Sequence, residues 1–358
     1  MRIKKATQNY EAWLGGHLRI VKADLELKHR EMAADTFRFL RATFYRWCQL
    51  WPEVCPEQSR APRVLAVGDL HVENFGTWRD IEGRLVWGIN DFDEACTFPY
   101  TIDLVRLATS AHFAIASDHL RIGVKDACQS ILEGYQAGLT RGGSPIVLGE
   151  SHHWLRTVAT SEAHDPARYW ERMDALPTFK GRVPKSAVRA LKQLMPEKGL
   201  HYRVAHRVAG LGSLGRERFM ALADWRGGKL AREAKALAPS AYHWAGKGRA
   251  ARGIRYEDVL TRSVRSRDPF VHLKGRWIVR RLAPDCTKVE LSSLPKERDE
   301  SRLLYEMGFE TANVHLGSRT AVKSVLRDLR SRGTLWLHQA AAAMAKATLE
   351  DWDDWRSH

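Results

Sequence analysis

The chain has 358 residues, more than one average domain of roughly 100–200 residues, so two lobes or domains are expected. A 44% hydrophobic share with 13 Trp excludes disorder, and no stretch approaches the ~18 uncharged apolar residues of a membrane helix. The 57 Lys+Arg against 42 Asp+Glu leave a net charge of +15, and this charge is localised: residues 180–281 hold 25 basic and 7 acidic residues, leaving 32 against 35 elsewhere. Charge so concentrated attracts phosphate-bearing partners, either nucleic acid or a phosphorylated small molecule.

Met1 to Trp13 is basic and polar with no apolar run behind it, which does not read as a secretory signal, so a soluble cytoplasmic chain is expected. Phe37, Leu40, Phe44 and Trp47, spaced by three and four, predict helix through the first 60 residues, ended by Pro52 and Pro56. Cys48, Cys55, Cys96, Cys128 and Cys286 form no C-x-x-C pair and read as reduced structural thiols, with no metal assigned to them. Arg63–Val67 and Arg84–Ile89 read as strands, each delivering acidic residues at its C-terminal end. Thr101 to Ala116 reads as a buried helix after Pro99, and helical patterns continue to about Leu200. From His201 the period becomes that of strands: Tyr202–Ala209 and Arg218–Ala223 flank a glycine loop, with a turn at Arg226–Lys229. A further strand pair is expected at Phe270–Leu273 and Arg276–Leu282, and helix returns from Pro295.

The expected organisation is therefore a helical part over 1–200 that holds the chemistry, a basic β-rich part over 201–294, and C-terminal helices over 295–358 that complete the helical part. Gly68-Asp-Leu-His-Val-Glu-Asn74 puts a carboxylate, an imidazole and an amide on one loop after a strand. Asp69 and Asn74, five apart, suit phosphoryl transfer: the carboxylate takes the proton of an attacking hydroxyl and the amide oxygen binds Mg²⁺ on nucleotide phosphates. Asp91, ending the next strand, supplies a charged magnesium ligand, and Mg²⁺ needs only one or two carboxylates besides phosphate and water. The bland alternative is that Asp69 and Asn74 cap turns. Gly210-Leu-Gly-Ser-Leu-Gly215 matches G-x-G-x-x-G, but a strand follows it where a dinucleotide fold needs a helix, so it reads as a hairpin tip able to cover phosphates. Lys235, twenty residues past Gly215, is placed to pair with phosphates, although Ala-Arg-Glu-Ala-Lys-Ala is more helical than strand-like in propensity.

These residues resemble the catalytic and magnesium motifs of protein-kinase-like phosphotransferases, especially the aminoglycoside and choline kinase branch with its G-D-L-H-x-x-N and I-D-[FW]-[DE]. The glycine loop and lysine follow the catalytic loop here, where those kinases place them before it. That order, with Lys28-His-Arg-Glu-Met32, Phe37–Arg41, Asp103–Ala108, Arg207–Gly215 and Ala238-Pro-Ser240, is similar to the bacterial domain of unknown function 2252 over most of the chain. The resemblance implies an α+β, two-lobed, circularly permuted kinase-like fold. It also implies an ATP- and Mg²⁺-dependent phosphotransferase with Asp69 as base, Asn74 and Asp91 as metal ligands, Gly210, Gly212, Ser213 and Gly215 as the phosphate loop and Lys235 as the phosphate lysine. Glu257 or Asp258 is the expected acidic partner of Lys235.

Transfer of AMP, or a pseudokinase without turnover, uses the same residues. Val64–His71 also looks like the first motif of binuclear metallophosphoesterases, but no G-N-H occurs anywhere in the chain. A nucleic-acid-binding protein is the non-enzyme alternative, with Trp225, Trp244 and Trp277 for base stacking, against their commoner role as core. The acceptor is unassigned. Arg38, Arg41 and Arg106 either line the pocket of an acidic or phosphorylated acceptor or, more commonly for helix arginines, pair with structural carboxylates. Asp103 is expected to hold the catalytic loop's backbone N–H groups.

Overall fold

The computed structural model describes residues 1–150, 152–159, 165–246, 253–286, 288 and 299–357. The expected boundary at 294 and the helix start at Pro295 lie outside these residues. Four helices open the chain: α1 (Ile3–Gly15), α2 (Lys22–Ala34), α3 (Thr36–Ala42) and α4 (Phe44–Val54). Strands β1 (Arg63–Ala66), β2 (Phe75–Arg79), β3 (Leu85–Ile89) and β4 (Cys96–Pro99) then lead into α5 (Thr101–Ala116) and α6 (Val124–Arg141). After β5 (Ile146–Val147) come α7 (His153–Ala159), α8 (Pro166–Asp174) and α9 (Lys185–Gln193). The basic region holds β6 (Arg203–His206), β7 (Arg218–Trp225), β8 (Gly228–Ala236), α10 (Ala241–Trp244), α11 (Tyr256–Arg262), β9 (Val271–Lys274) and β10 (Trp277–Leu282). The chain closes with α12 (Glu300–His315), α13 (Val322–Ser331) and α14 (Trp336–Arg356). The fold is mixed α+β, with small antiparallel sheets among the helices.

Helix α5 is apolar nearly all round and is accordingly buried nearly all round, the axis on which the helical part is built. Helices α6 and α12 approach closely because each presents a glycine to the other's backbone: a Cβ at Gly134 would lie 1.8 Å from the Tyr305 carbonyl oxygen, and one at Gly308 would lie 2.1 Å from that of Ile131. The C-terminal helices thus pack into the core begun by α5 and α6.

The largest sheet is antiparallel, in the order β6-β7-β8-β10-β9. Alternation along the strands gives one face Met220, Leu222, Ala231 and Leu282, covered by Tyr169 and Met173 of α8. On that same face stand Arg218, Glu233, Lys235 and Arg280, with Lys235 reaching Asp91. The opposite face, with Phe219, Ala234 and Trp277, packs on α9. Helices α8 and α9 thus pack on the sheet, because helices with one apolar stripe must bury it on the nearest apolar face. Ala231–Ala236 is strand in spite of its helical propensity, since both its edges are hydrogen-bonded, to β7 and to β10.

Candidate active site

The strand β1 ends against Gly68, whose φ of +86° no side chain tolerates easily and whose Cβ would lie 2.6 Å from the Glu94 carbonyl oxygen. The turn is held from behind by Asp103 of α5, as expected from the sequence. Its carboxylate accepts the backbone N–H groups of Val67 (2.7 Å) and Gly68 (2.8 Å), and it lies 3.0 Å from Nε2 of His315 on α12, whose Nδ1 meets the Tyr135 hydroxyl at 2.8 Å. Asp69 thereby projects toward the glycine loop. Arg106, also on α5 and fully buried, donates through Nε to Asp69 Oδ1 at 2.8 Å and through Nη2 to the Leu40 carbonyl at 2.8 Å, its guanidinium lying over Phe44 and Trp47.

Asn74 bridges the two acidic loops: its Nδ2 donates to the carbonyls of Asp69 (3.3 Å) and Asp91 (3.0 Å). Its Oδ1 is buried with no hydrogen-bond partner among the described residues. Asp91, at the end of β3, is 3.2 Å from Lys235 Nζ and 3.4 Å from Lys288 Nζ. Lys235 Nζ also lies 2.7 Å from Asp93 Oδ1, and the lysine is 2% exposed. Burial alone would raise the Asp91 carboxyl, but Lys235 and then Lys288 hold it well below the usual carboxylate range, while burial and the Asp91 charge raise Asp93. The expected partnership of Lys235 with Glu257 or Asp258 is corrected: Lys235 pairs with Asp91 and Asp93, and Asp258 pairs with Arg255 and Arg262. The cause is the register of β8, whose alternation turns Lys235 toward the end of β3, whereas α11 carries Asp258 beside its own arginines.

The glycine loop joins the paired strands β6 and β7, with φ of +74° at Gly210 and +91° at Gly215. It lies down on the loop that carries Asp69, since a Cβ at Gly212 would be 3.0 Å from the Arg41 carbonyl oxygen and 3.3 Å from Asp69 Oδ2. Ser213 Oγ donates to the Gly210 carbonyl and accepts from Arg218 Nη2. Together Asp69, Asn74, Asp91, Gly210, Gly212 and Ser213 line one cavity of about 50 Å³. Lys235 and Gly215 stand outside its lining, Lys235 one ion pair behind Asp91.

Several residues of this cavity carry no assignment from the sequence: Lys28, Arg216, Glu94 and Lys288. Arg216 spans Asp93 (3.5 Å) and Glu94 (2.9 Å), and Glu94 also accepts the Ala241 N–H at 2.7 Å, tying the strand-end acids to the sheet. The signal for Lys28 was its spacing: Asp24, Lys28 and Met32 form one inward row on α2 at steps of four. His71 is buried in the same cavity, and burial, then Arg41, Lys288 and Arg106, push its pKa well below the ordinary value, so it is neutral. Of the acceptor candidates, Arg41 lines the cavity and pairs with Glu73, Arg106 pairs with Asp69, and Arg38 pairs with Glu31 and Asp35. Of the three tryptophans, Trp277 is core and Trp244 packs on Tyr10 and Tyr45, while Arg207, Arg218 and Arg280 turn inward onto buried Glu233.

Fold and cavity together define a mixed α+β protein with a carboxylate, amide and lysine cluster beneath a glycine hairpin. The model of a family described as an uncharacterized protein conserved in bacteria (DUF2252) matches residues 19–168, fewer than half of the 358 residues and a shorter stretch than the resemblance over most of the chain. The matched segment carries Lys28, Asp69, Asn74 and Asp91, and leaves out the glycine loop and Lys235. No curated protein and no solved structure matches the chain. Among the described residues, no helix is long and apolar enough to cross a membrane.

Proposed function

We propose that the protein is an ATP- and Mg²⁺-dependent phosphotransferase with a two-lobed, circularly permuted kinase-like architecture, acting on a hydroxyl-bearing acceptor. The observation that carries this reading is the convergence, on one cavity, of the Asn74 Oδ1 left without a partner and the Asp69 and Asp91 carboxylates, beneath the glycine loop and with Lys235 paired to Asp91. A buried amide oxygen without a donor is costly unless something binds it, and a hard cation accepts oxygen ligands of this kind. Asn74 Oδ1 and the Asp91 carboxylate would hold Mg²⁺, which would neutralise charge on the phosphates when bound. Lys235 then exchanges its pairing with Asp91 for phosphate oxygens. Arg106 occupies Asp69 Oδ1 and leaves Oδ2 facing the loop, oriented to accept the acceptor's proton.

A cavity of about 50 Å³ has room for about four waters. Sites for organic ligands run to about 300–1,000 Å³, so a nucleotide enters only as the glycine loop lifts from Asp69 and Arg41. The test is thermal unfolding with and without millimolar Mg·ATP on the wild type and on Asp91→Ala. Binding at 100 times Kd adds about 2.7 kcal/mol to the wild type. No stabilisation of either protein, or equal stabilisation of both, refutes the assignment. ATP labelled at the α or the γ phosphorus then separates AMP transfer from phosphoryl transfer.

A further inference from the structure

Lys28 is a buried ammonium, 5% exposed, for which no described carboxylate forms an ion pair. Its Nζ donates to the Gly212 carbonyl at 3.1 Å and lies 5.9 Å from the centre of the Tyr45 ring. A buried cation held by one neutral acceptor is costly, whereas a lysine with only a structural role is ordinarily paired or allowed to reach water. The same cavity holds a second poorly satisfied donor, Arg41 Nε, which is buried without a partner among the described residues, on the side chain that pairs with Glu73. The same lining also holds Asn74 Oδ1, which has no partner among the described residues, and the Asp91 carboxylate. The cavity thus carries incompletely satisfied donors together with an unsatisfied acceptor oxygen.

The two lysines have different partners. Lys235 is committed to Asp91 and Asp93 where the metal ligands stand, while Lys28 meets the loop at Gly212, the glycine that sits against Asp69. The helix that carries Lys28 is itself fastened to the loop: the Val21 N–H donates to the Gly215 carbonyl at 2.8 Å, Leu25 packs against Gly215, and Asp24 lies 2.9 Å from His206 on β6.

We propose that Lys28 is a second phosphate-binding cation, parked on the Gly212 carbonyl while the loop is down and transferred to the terminal phosphate oxygens when a nucleotide lifts the loop. The proposal rests on the nucleotide reading above. It assigns to α2 the contact that distinguishes a triphosphate from a diphosphate, leaving Lys235 for the phosphates beside the metal ligands.

The experiment is calorimetric titration of the full chain, wild type, Lys28→Met and Lys28→Arg, with Mg·ATP, Mg·ADP and metal-free tripolyphosphate, after melting curves have shown all three proteins folded. Losing a charge-assisted hydrogen bond from a buried cation should weaken Mg·ATP by roughly 10–100-fold in Lys28→Met and Mg·ADP by less than about 3-fold, while Lys28→Arg keeps the preference for ATP. A folded Lys28→Met with an unchanged ratio of ATP to ADP affinity overturns the role of Lys28 and leaves the nucleotide reading standing. If the wild type binds neither nucleotide, that reading fails. In that case tripolyphosphate bound by the wild type and lost in Lys28→Met upholds the anion site alone, and tripolyphosphate binding that is absent or equal in both proteins overturns it.

Discussion

Replacing Asp103 by Asn removes one negative charge and one acceptor from a residue with no exposed surface, and changes almost nothing in volume. In the wild type the two carboxylate oxygens serve the N–H groups of Val67 and Gly68, and Oδ2 also faces His315 Nε2. An asparagine offers one acceptor oxygen and one NH₂, so one of the two backbone donors must face another donor. The loss of one charge-assisted bond and the stranding of a buried N–H should cost about 2–4 kcal/mol. The assay is urea unfolding followed by tryptophan fluorescence, with the midpoint falling at unchanged slope. His315→Ala should be less costly in the Asp103→Asn background than alone, because the two residues share one network. The damage should also reach the site, since the peptides held by Asp103 set the direction of Asp69. A cost below about 0.5 kcal/mol, or strict additivity with His315→Ala, would refute the argument that α5 and α12 together hold the Gly68–Asn74 loop.

Burial, then the Arg216 charge, lower the Lys28 pKa from 10.5 to about 8, against Glu11, Asp69 and Glu94, which raise it. The folded protein therefore releases this proton before the unfolded chain does, and stability should rise with pH between about 8 and 10.5, by about 3 kcal/mol for the wild type relative to Lys28→Met. Parallel denaturation curves for the two proteins across that window contradict the burial of a charged Lys28. Gly134→Ala drives a methyl group into the Tyr305 backbone and should cost about 1–3 kcal/mol by separating α6 from α12, which a melting curve reads directly. Asp69→Asn should leave Mg·ATP affinity nearly unchanged while lowering transfer by roughly 10²–10⁴-fold. Loss of bound metal in that variant, measured by metal analysis, would instead favour Asp69 as a metal ligand and the phosphoesterase reading.

Local chemistry sufficed for much of the site. Gly68-Asp69 and Ile89–Asp91 are strand ends with acids, legible because an apolar run that stops at glycine or at Asn-Asp stops in the same place in three dimensions. Helix α5 was readable to its end residues, since a long, mostly apolar segment after Pro99 without Gly or Pro inside it has few alternatives. The glycine hairpin was readable too, because the residues after Gly215 have the period of a strand. Strand β8 was the opposite case: its alanines, arginine and glutamate favour helix in isolation, and only pairing on both edges makes them extended. The partner of Lys235 was beyond reach for the same reason. Acids near in the chain were the natural candidates, yet register and sheet placement bring it to acids 144 and 142 positions earlier. Lys28 was visible as a residue without a role, because a charge on a helix face is ordinarily solvated. Its spacing with Asp24 and Met32 marks the inward row of α2, but the glycine loop that buries it comes from 184 residues away, a partner that spacing does not name. Local patterning thus set which residues end strands and turn corners, while long-range packing decided which charges meet, because ion pairs depend on distance through space and propensity acts along the chain.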